Sequence, residues 1–92
     1  MEFEFDPQKA LSNTKKHGIS FAEVEPVFFD EFALTREDDA MLEQRFITVG
    51  LDARLRVVIV CWTQRGNNIR LISARLATAS ERKAYENRIW HD

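Results

Sequence analysis

Val57-Val58-Ile59-Val60-Cys61-Trp62 is an unbroken apolar run rich in β-branched residues, and it constrains the fold more than any other stretch. Such a run predicts a central strand covered on both faces. Turn signals bracket it: Asp52-Ala53-Arg54 before, and Gln64 to Asn68, centred on Gly66-Asn67, after. Arg45 to Leu51 alternates as a strand on one side, and Ile69 to Arg75 reads as the last strand on the other. Strands joined by such short turns make a mainly antiparallel meander.

The flanks predict helices. Residues 2–5 alternate charge and Phe, giving a short strand. Asp6-Pro7 then supplies an N-cap followed by proline at the first helical position. This helix is expected to run to Lys16 or His17, with Gly18 just beyond it. Its last turn, Lys15-Lys16-His17, complements the helix dipole. Ser20 and Glu23 form a capping box for a second helix with an apolar stripe of Phe21, Val24, Val27 and Phe28. Pro26 should kink or shorten it. Phe32 and Leu34 suggest a short edge strand, and Glu37 to Glu43 an acidic, mobile connector. Thr78 and Glu81 form another capping box, opening a C-terminal helix to about Trp90 with Ala84, Tyr85 and Ile89 turned inward. The order is β-α-α-β-β-β-β-α. The expected class is α+β, with two N-terminal helices and one C-terminal helix packed on the sheet.

At 92 residues the chain is expected to form a single domain over 1–92. No apolar run approaches the roughly 18 residues of a membrane span, and the charged N-terminus does not read as a signal peptide. Cys61 is the only cysteine, which excludes a disulfide within the chain and makes a reducing cytoplasm the expected compartment. Its place in the apolar run points to a buried structural thiol. The two histidines, His17 and His91, have no partners at metal-ligand spacing, and the glycines are isolated, so neither metal nor cofactor is expected.

Against this plain background, Trp62 to Arg82 (WTQRGNNIRLISARLATASER) spreads Arg65, Arg70, Arg75 and Arg82 along a hairpin and a helix start. Guanidinium is planar, permanently charged and forked, and so suits phosphate. Residues 1–44 carry four cations against eleven acids, whereas residues 45–92 carry nine against four. Either the halves pair their charges, or a basic face awaits a polyanionic or acidic partner. Strand alternation would put Arg75 on one face with Ile69, Leu71 and Ser73, and Arg70 on the other. Arg75 and Arg82 are then expected to meet at the strand–helix junction. Trp62 and Trp90 could stack on bases, although core packing suits both.

Metal-free RNA cleavage needs a base for the ribose 2′-OH, an acid for the leaving oxygen and cations for the charged phosphorane. Arginine fills only the last role. His17, Glu43, Glu81 and Tyr85 are the candidate proton carriers. Each also has a structural role to weigh: His17 as a helix C-terminal cation, Glu81 as the capping acid, Tyr85 as a core contact and Glu43 as a solvated loop charge.

Two motifs carry a resemblance across almost the whole chain. The opening spans Phe5-Asp6, Lys9, Asn13 and Lys16-His17-Gly18. The close spans Ile72-Ser73-Ala74-Arg75, Ala77 and Glu81-Arg82. Phe3, Phe21, Val27-Phe28, Asp30, Glu43, Arg45, Gly50, Thr63, Arg65, Ile69-Arg70 and Tyr85 add to them. The chain resembles the BrnT family of toxins from bacterial type II toxin–antitoxin systems. That resemblance implies a RelE-like ribonuclease fold, inhibition of translation by RNA cleavage, and neutralisation by a ribbon-helix-helix antitoxin. The toxin–antitoxin hetero-oligomer would touch DNA only through the antitoxin, and no membrane is involved. With the arginine unit, it makes Arg75 and Arg82 the candidate phosphorane stabilisers and His17 the candidate base. Arg65, Arg70, Arg45 and Lys16 become the candidate RNA-binding set. Leu76, Ala79 and Ser80 stand where the family often has cations. The alternative is therefore a catalytically weak or silent module that serves as the antitoxin-binding subunit of a co-repressor.

Overall fold

The computed structural model describes residues 1–38 and 43–90. Nine elements follow in order: β1 (Phe3–Glu4), α1 (Pro7–His17), α2 (Phe21–Val24), a 3-10 turn (Glu25–Phe29), β2 (Leu34–Asp38), β3 (Arg45–Leu51), β4 (Val57–Arg65), β5 (Asn68–Leu76) and α3 (Ala79–Asn87). The five strands form one sheet in the order β1-β5-β4-β3-β2. β2 to β5 are an antiparallel meander, and β1 adds in parallel to β5, so the sheet is mixed.

Local chemistry sets the helix ends. Asp6 accepts a 2.9 Å hydrogen bond from the Gln8 N–H, and Gly18 at φ 69° closes α1 by donating to the Thr14 carbonyl at 2.8 Å. Such a cap is worth about 1 kcal/mol. The Ser20–Glu23 capping box opens α2. Pro26 then ends regular α-helix after four residues, and the chain continues as the 3-10 turn. The predicted edge strand begins at Leu34, not Phe32, and takes in Glu37 and Asp38 from the expected connector. Residues 39–42 of that connector lie outside the described residues.

β4 is the central strand. Val58 and Val60 look to the first face, where Ile19, Phe21, Val24 and Val27 of the helical layer meet Ile69, Leu71 and Ala74. All nine are buried. On the second face, Val49, Ile59 and Ala77 form a smaller core with Leu34, Ile47, Val57, Tyr85 and Trp90. α3 covers this core without burying any residue completely. The helix ends at Asn87, and Arg88 takes the left-handed conformation (φ 60°). The inward residue after the cap is therefore Trp90, while the expected Ile89 is 54% exposed. Gly50 is required by close approach: a Cβ there would lie 3.0 Å from Val27 Cγ1.

One irregularity overturns the expected placement of two arginines. Trp62 pairs with Leu71 but Cys61 pairs with Ser73, so Ile72 is an extra residue, a β-bulge in β5. The bulge reverses the alternation beyond it. Arg70 lies opposite Thr63 and Arg75 opposite Ile59. Because Ile59 and Thr63 share a face of β4, Arg70 and Arg75 share the second face of the sheet.

Candidate functional site

The second face divides along β4. Ile59 lies under α3, whereas Cys61, Thr63 and Arg65 continue the same side of the strand beyond it. β5 contributes Arg70, Ser73 and Arg75 to this side, and β3 contributes Arg45. The result is a sheet face carrying Arg45, Arg65, Arg70 and Arg75. Arg65, the last residue of β4, is exposed. Arg70 approaches Glu4 at 3.7 Å. Among the described residues, the buried Nε of Arg45 has no hydrogen-bond partner. Pairing between the acidic and basic halves does occur: Glu23 holds Arg54 at 2.7 Å and Arg56 at 3.6 Å, away from this face.

Arg75 is held by three side-chain hydrogen bonds. Its two terminal nitrogens donate to the two oxygens of Glu81 at 2.8 and 3.0 Å, and Nη1 also reaches the Leu76 carbonyl at 3.2 Å. Glu81 serves twice, because Oε1 also accepts the Thr78 N–H at 2.8 Å in the capping box. The Arg75 hydrogen bonds pull its carboxyl down to about 2. Glu81 is thus a fixed anion at neutral pH and a poor proton carrier. Arg82 is exposed, and its guanidinium makes a 3.4 Å contact with the Ala77 carbonyl. Both arginines therefore attach to the β5–α3 junction, but only Arg75 is clamped.

His17 and Lys16 sit elsewhere, on the α1 side of β5. With Lys9, Ser12, Asn13, Ile72 and Ser73 they line a shallow cleft of about 200 Å³ at the bulge. Asn13 builds this cleft. It is buried, its side-chain amide donates to the Ala74 carbonyl at 2.9 Å, and its oxygen accepts the Ala74 N–H at 3.0 Å. A third bond runs to the Ile19 carbonyl at 3.0 Å. Asn13 thus pairs with β5 as a strand would and seats α1 along it. Ser73 belongs to both groups: it pairs with Cys61 across the sheet and lines the cleft.

The other candidates are committed to structure. The Tyr85 hydroxyl donates to Asp30 at 2.7 Å, and burial together with this bond pushes its pKa up to about 12. Burial opposes the charge on Asp30, but hydrogen bonds from Tyr85 and the Leu51 and Phe32 N–H groups outweigh it and keep the carboxyl low. Glu43 is exposed. Trp62 stacks on Phe46 at 4.7 Å and donates to Thr48 at 2.8 Å, while Trp90 carries the Arg36 guanidinium at 4.5 Å. Cys61 is half-buried rather than buried, and burial raises its thiol pKa, so it is no ready nucleophile.

Sequence reasoning missed Lys9, Ser73 and Asn13 as parts of the site. A buried helix asparagine, which must find partners for its amide, was the available signal. Among the described residues, no cluster of three or more His, Cys, Asp or Glu could hold a metal, and no helix is long and apolar enough to cross a membrane.

The family model described as "Ribonuclease toxin, BrnT, of type II toxin-antitoxin system" matches residues 5–81. The chain belongs to the BrnT family. The matched segment takes in α1, the bulge, Arg75 and Glu81, and Arg82 lies one residue beyond it. Among solved structures, the 1.1 Å crystal structure of the Brucella abortus ribonuclease toxin BrnT superposes with a TM-score of 0.68. It is 24% identical, and the match covers 85% of this chain and 97% of that one. The BrnT fold is thereby shared. No curated protein matches in sequence.

Proposed function

We propose that this BrnT-family chain cleaves RNA without a metal ion, at the β5 bulge, and so inhibits translation in the cytoplasm until a ribbon-helix-helix antitoxin neutralises it. The observation that carries this reading is the juxtaposition at Ser73. The cleft with His17, Lys16 and Lys9 lies on one side, and the sheet face with Arg70 and Arg75 on the other.

Each residue has a defined task. His17, as base, takes the proton of the ribose 2′-OH. The 2′-oxygen attacks phosphorus to form a 2′,3′-cyclic phosphate, the P–O5′ bond breaks, and the departing 5′-oxygen takes its proton from water. Arg75 meets the charge that grows on the phosphorane oxygens. A guanidinium has five N–H donors. Glu81 takes two and the Leu76 carbonyl takes one, which leaves two for phosphate. Glu81 also fixes the fork, so little reorganisation is needed when charge develops. Arg82 adds charge at the junction, and Arg45, Arg65, Arg70 and Lys16 position the backbone of the RNA.

The carboxylate of Glu81 also supports a second reading. It offsets the Arg75 charge, and Leu76, Ala79 and Ser80 add none nearby. This would suit a silent module that binds antitoxin and acts in repression. Induced expression with RNA analysis, repeated on purified protein in EDTA, separates the two. Growth arrest and EDTA-resistant cleavage are expected. A folded, antitoxin-binding protein that leaves RNA intact would establish the second reading instead.

A further inference from the structure

α3 has a side that neither core uses. Ala79, Ser80, Lys83, Ala84 and Asn87 recur at three- and four-residue spacing and so lie along one side of the helix. At Arg88 the left-handed cap turns the chain, and Ile89 and Trp90 stand against that same side. Between them lies a groove of about 530 Å³, within the roughly 300–1,000 Å³ typical of binding clefts. Trp90 forms a firm wall, because it packs on the second core and carries Arg36. Ile89 is an open apolar contact, 54% exposed. Among the described residues, Lys83 is the only charged side chain lining the groove. Its sequence neighbour Arg82 carries a further positive charge on α3, and among the described residues no carboxylate lines the groove.

We infer that this groove is the docking site for the antitoxin, which would lay into it an amphipathic helix with an acidic residue facing Lys83. The inference rests on family membership, since a type II system implies an antitoxin partner, and not on the catalytic reading. A helix fits better than a strand because the floor is itself a helix face with short side chains. Axes can then approach to about 8–10 Å, with apolar side chains spaced at i, i+3 or i+4, and i+7 set against Ile89 and Trp90. An acid over Lys83 is favoured because, among the described residues, Lys83 is the only charged side chain in the lining. The docked helix would cover Ser80 and Lys83, which flank Arg82 on the surface of α3. It would also bury a helix that has no completely buried residue of its own.

Calorimetric titration of the full chain with its cognate antitoxin, in the absence of RNA, tests this. Lys83→Glu and Ile89→Asp should each weaken binding about tenfold or more, while Lys15→Glu on exposed α1 leaves it unchanged. Circular dichroism confirms that the variants fold. Changing the facing acid of the antitoxin to Lys should restore affinity for Lys83→Glu. Wild-type affinity in both groove variants would overturn the inference. Intact binding without RNA cleavage would count against the ribonuclease reading alone.

Discussion

The two faces of the sheet are built from different interactions. The first is a continuous apolar core: Val58, Val60, Leu71 and Ala74 meet Ile19, Val24 and Val27, and each is at most 1% exposed. Its buried polar groups are satisfied: Asn13 is engaged with β5 and Ile19, and Thr48 accepts the Trp62 indole N–H. The second face holds α3 through two polar clamps, Arg75–Glu81 and Tyr85–Asp30, over a small core. Beyond α3 it carries arginines. Burying charge is costly, so a face that must offer guanidinium to a partner cannot be covered in the same way. The larger core lies on one side of β4 and the exposed arginines on the other, and the proposed site joins that second face to the α1 cleft at the Ile72 bulge.

That division can be broken from the first face with the largest effect. Leu71→Ala should destabilise the protein by about 2–5 kcal/mol, measured by urea denaturation, because Leu71 is enclosed by both helical and strand residues. Asn13→Ala should cost about 2–3 kcal/mol, since it strands the Ala74 N–H and C=O. It should also expose the amides of β5 and the end of α1 to hydrogen exchange, and a variant as protected as the parent would show that Asn13 does not seat α1. On the second face, Tyr85→Phe removes a single clamp and should cost about 1 kcal/mol, with exchange rising in α3 and not in α1.

The clamps also have opposite pH signatures. Glu81 is lowered from 4.5 to about 2 in the fold, so its contribution is complete above pH 4.5 and is lost as pH falls toward 2. Because Arg75 is 43% exposed, solvent screening limits this to about 1–2 kcal/mol. Tyr85 is raised from 10.0 to about 12, so its contribution is complete below pH 10 and is lost as pH rises toward 12. Glu81→Gln should flatten the acid limb of the stability profile and Tyr85→Phe the alkaline limb. An acid limb unchanged in Glu81→Gln would remove Arg75–Glu81 from the account of how α3 is held.

Much of this was legible in the chain because it is local. Asp6-Pro7, Gly18, Ser20–Glu23 and Thr78–Glu81 mark helix ends by bonds that reach only a few residues. Pro26 shortens α2 for the same reason, and the Val57–Trp62 run is indeed the central strand. What escaped reading depends on partners far away in sequence. The bulge is a mismatch of register between β4 and β5, visible only when Cys61 and Trp62 are set against Ser73 and Leu71. Alternation along β5 alone therefore put Arg70 and Arg75 on opposite faces. The parallel pairing of β1 with β5 joins Phe3 to Ile69, and the Asn13 bonds reach 61 residues along the chain. The Ile89–Trp90 exchange has a smaller cause. Arg88 adopts the left-handed cap without being glycine, which breaks the helical period two residues before Trp90.

RNA cleavage by the folded Arg75→Ala protein tests the central claim most directly, with denaturation run in parallel to confirm an intact first-face core. Removing one preorganised donor of this kind should slow cleavage by about 10²–10³ and relieve growth arrest on expression. Cleavage at the parent rate would contradict the placement of the reaction at the β5 bulge.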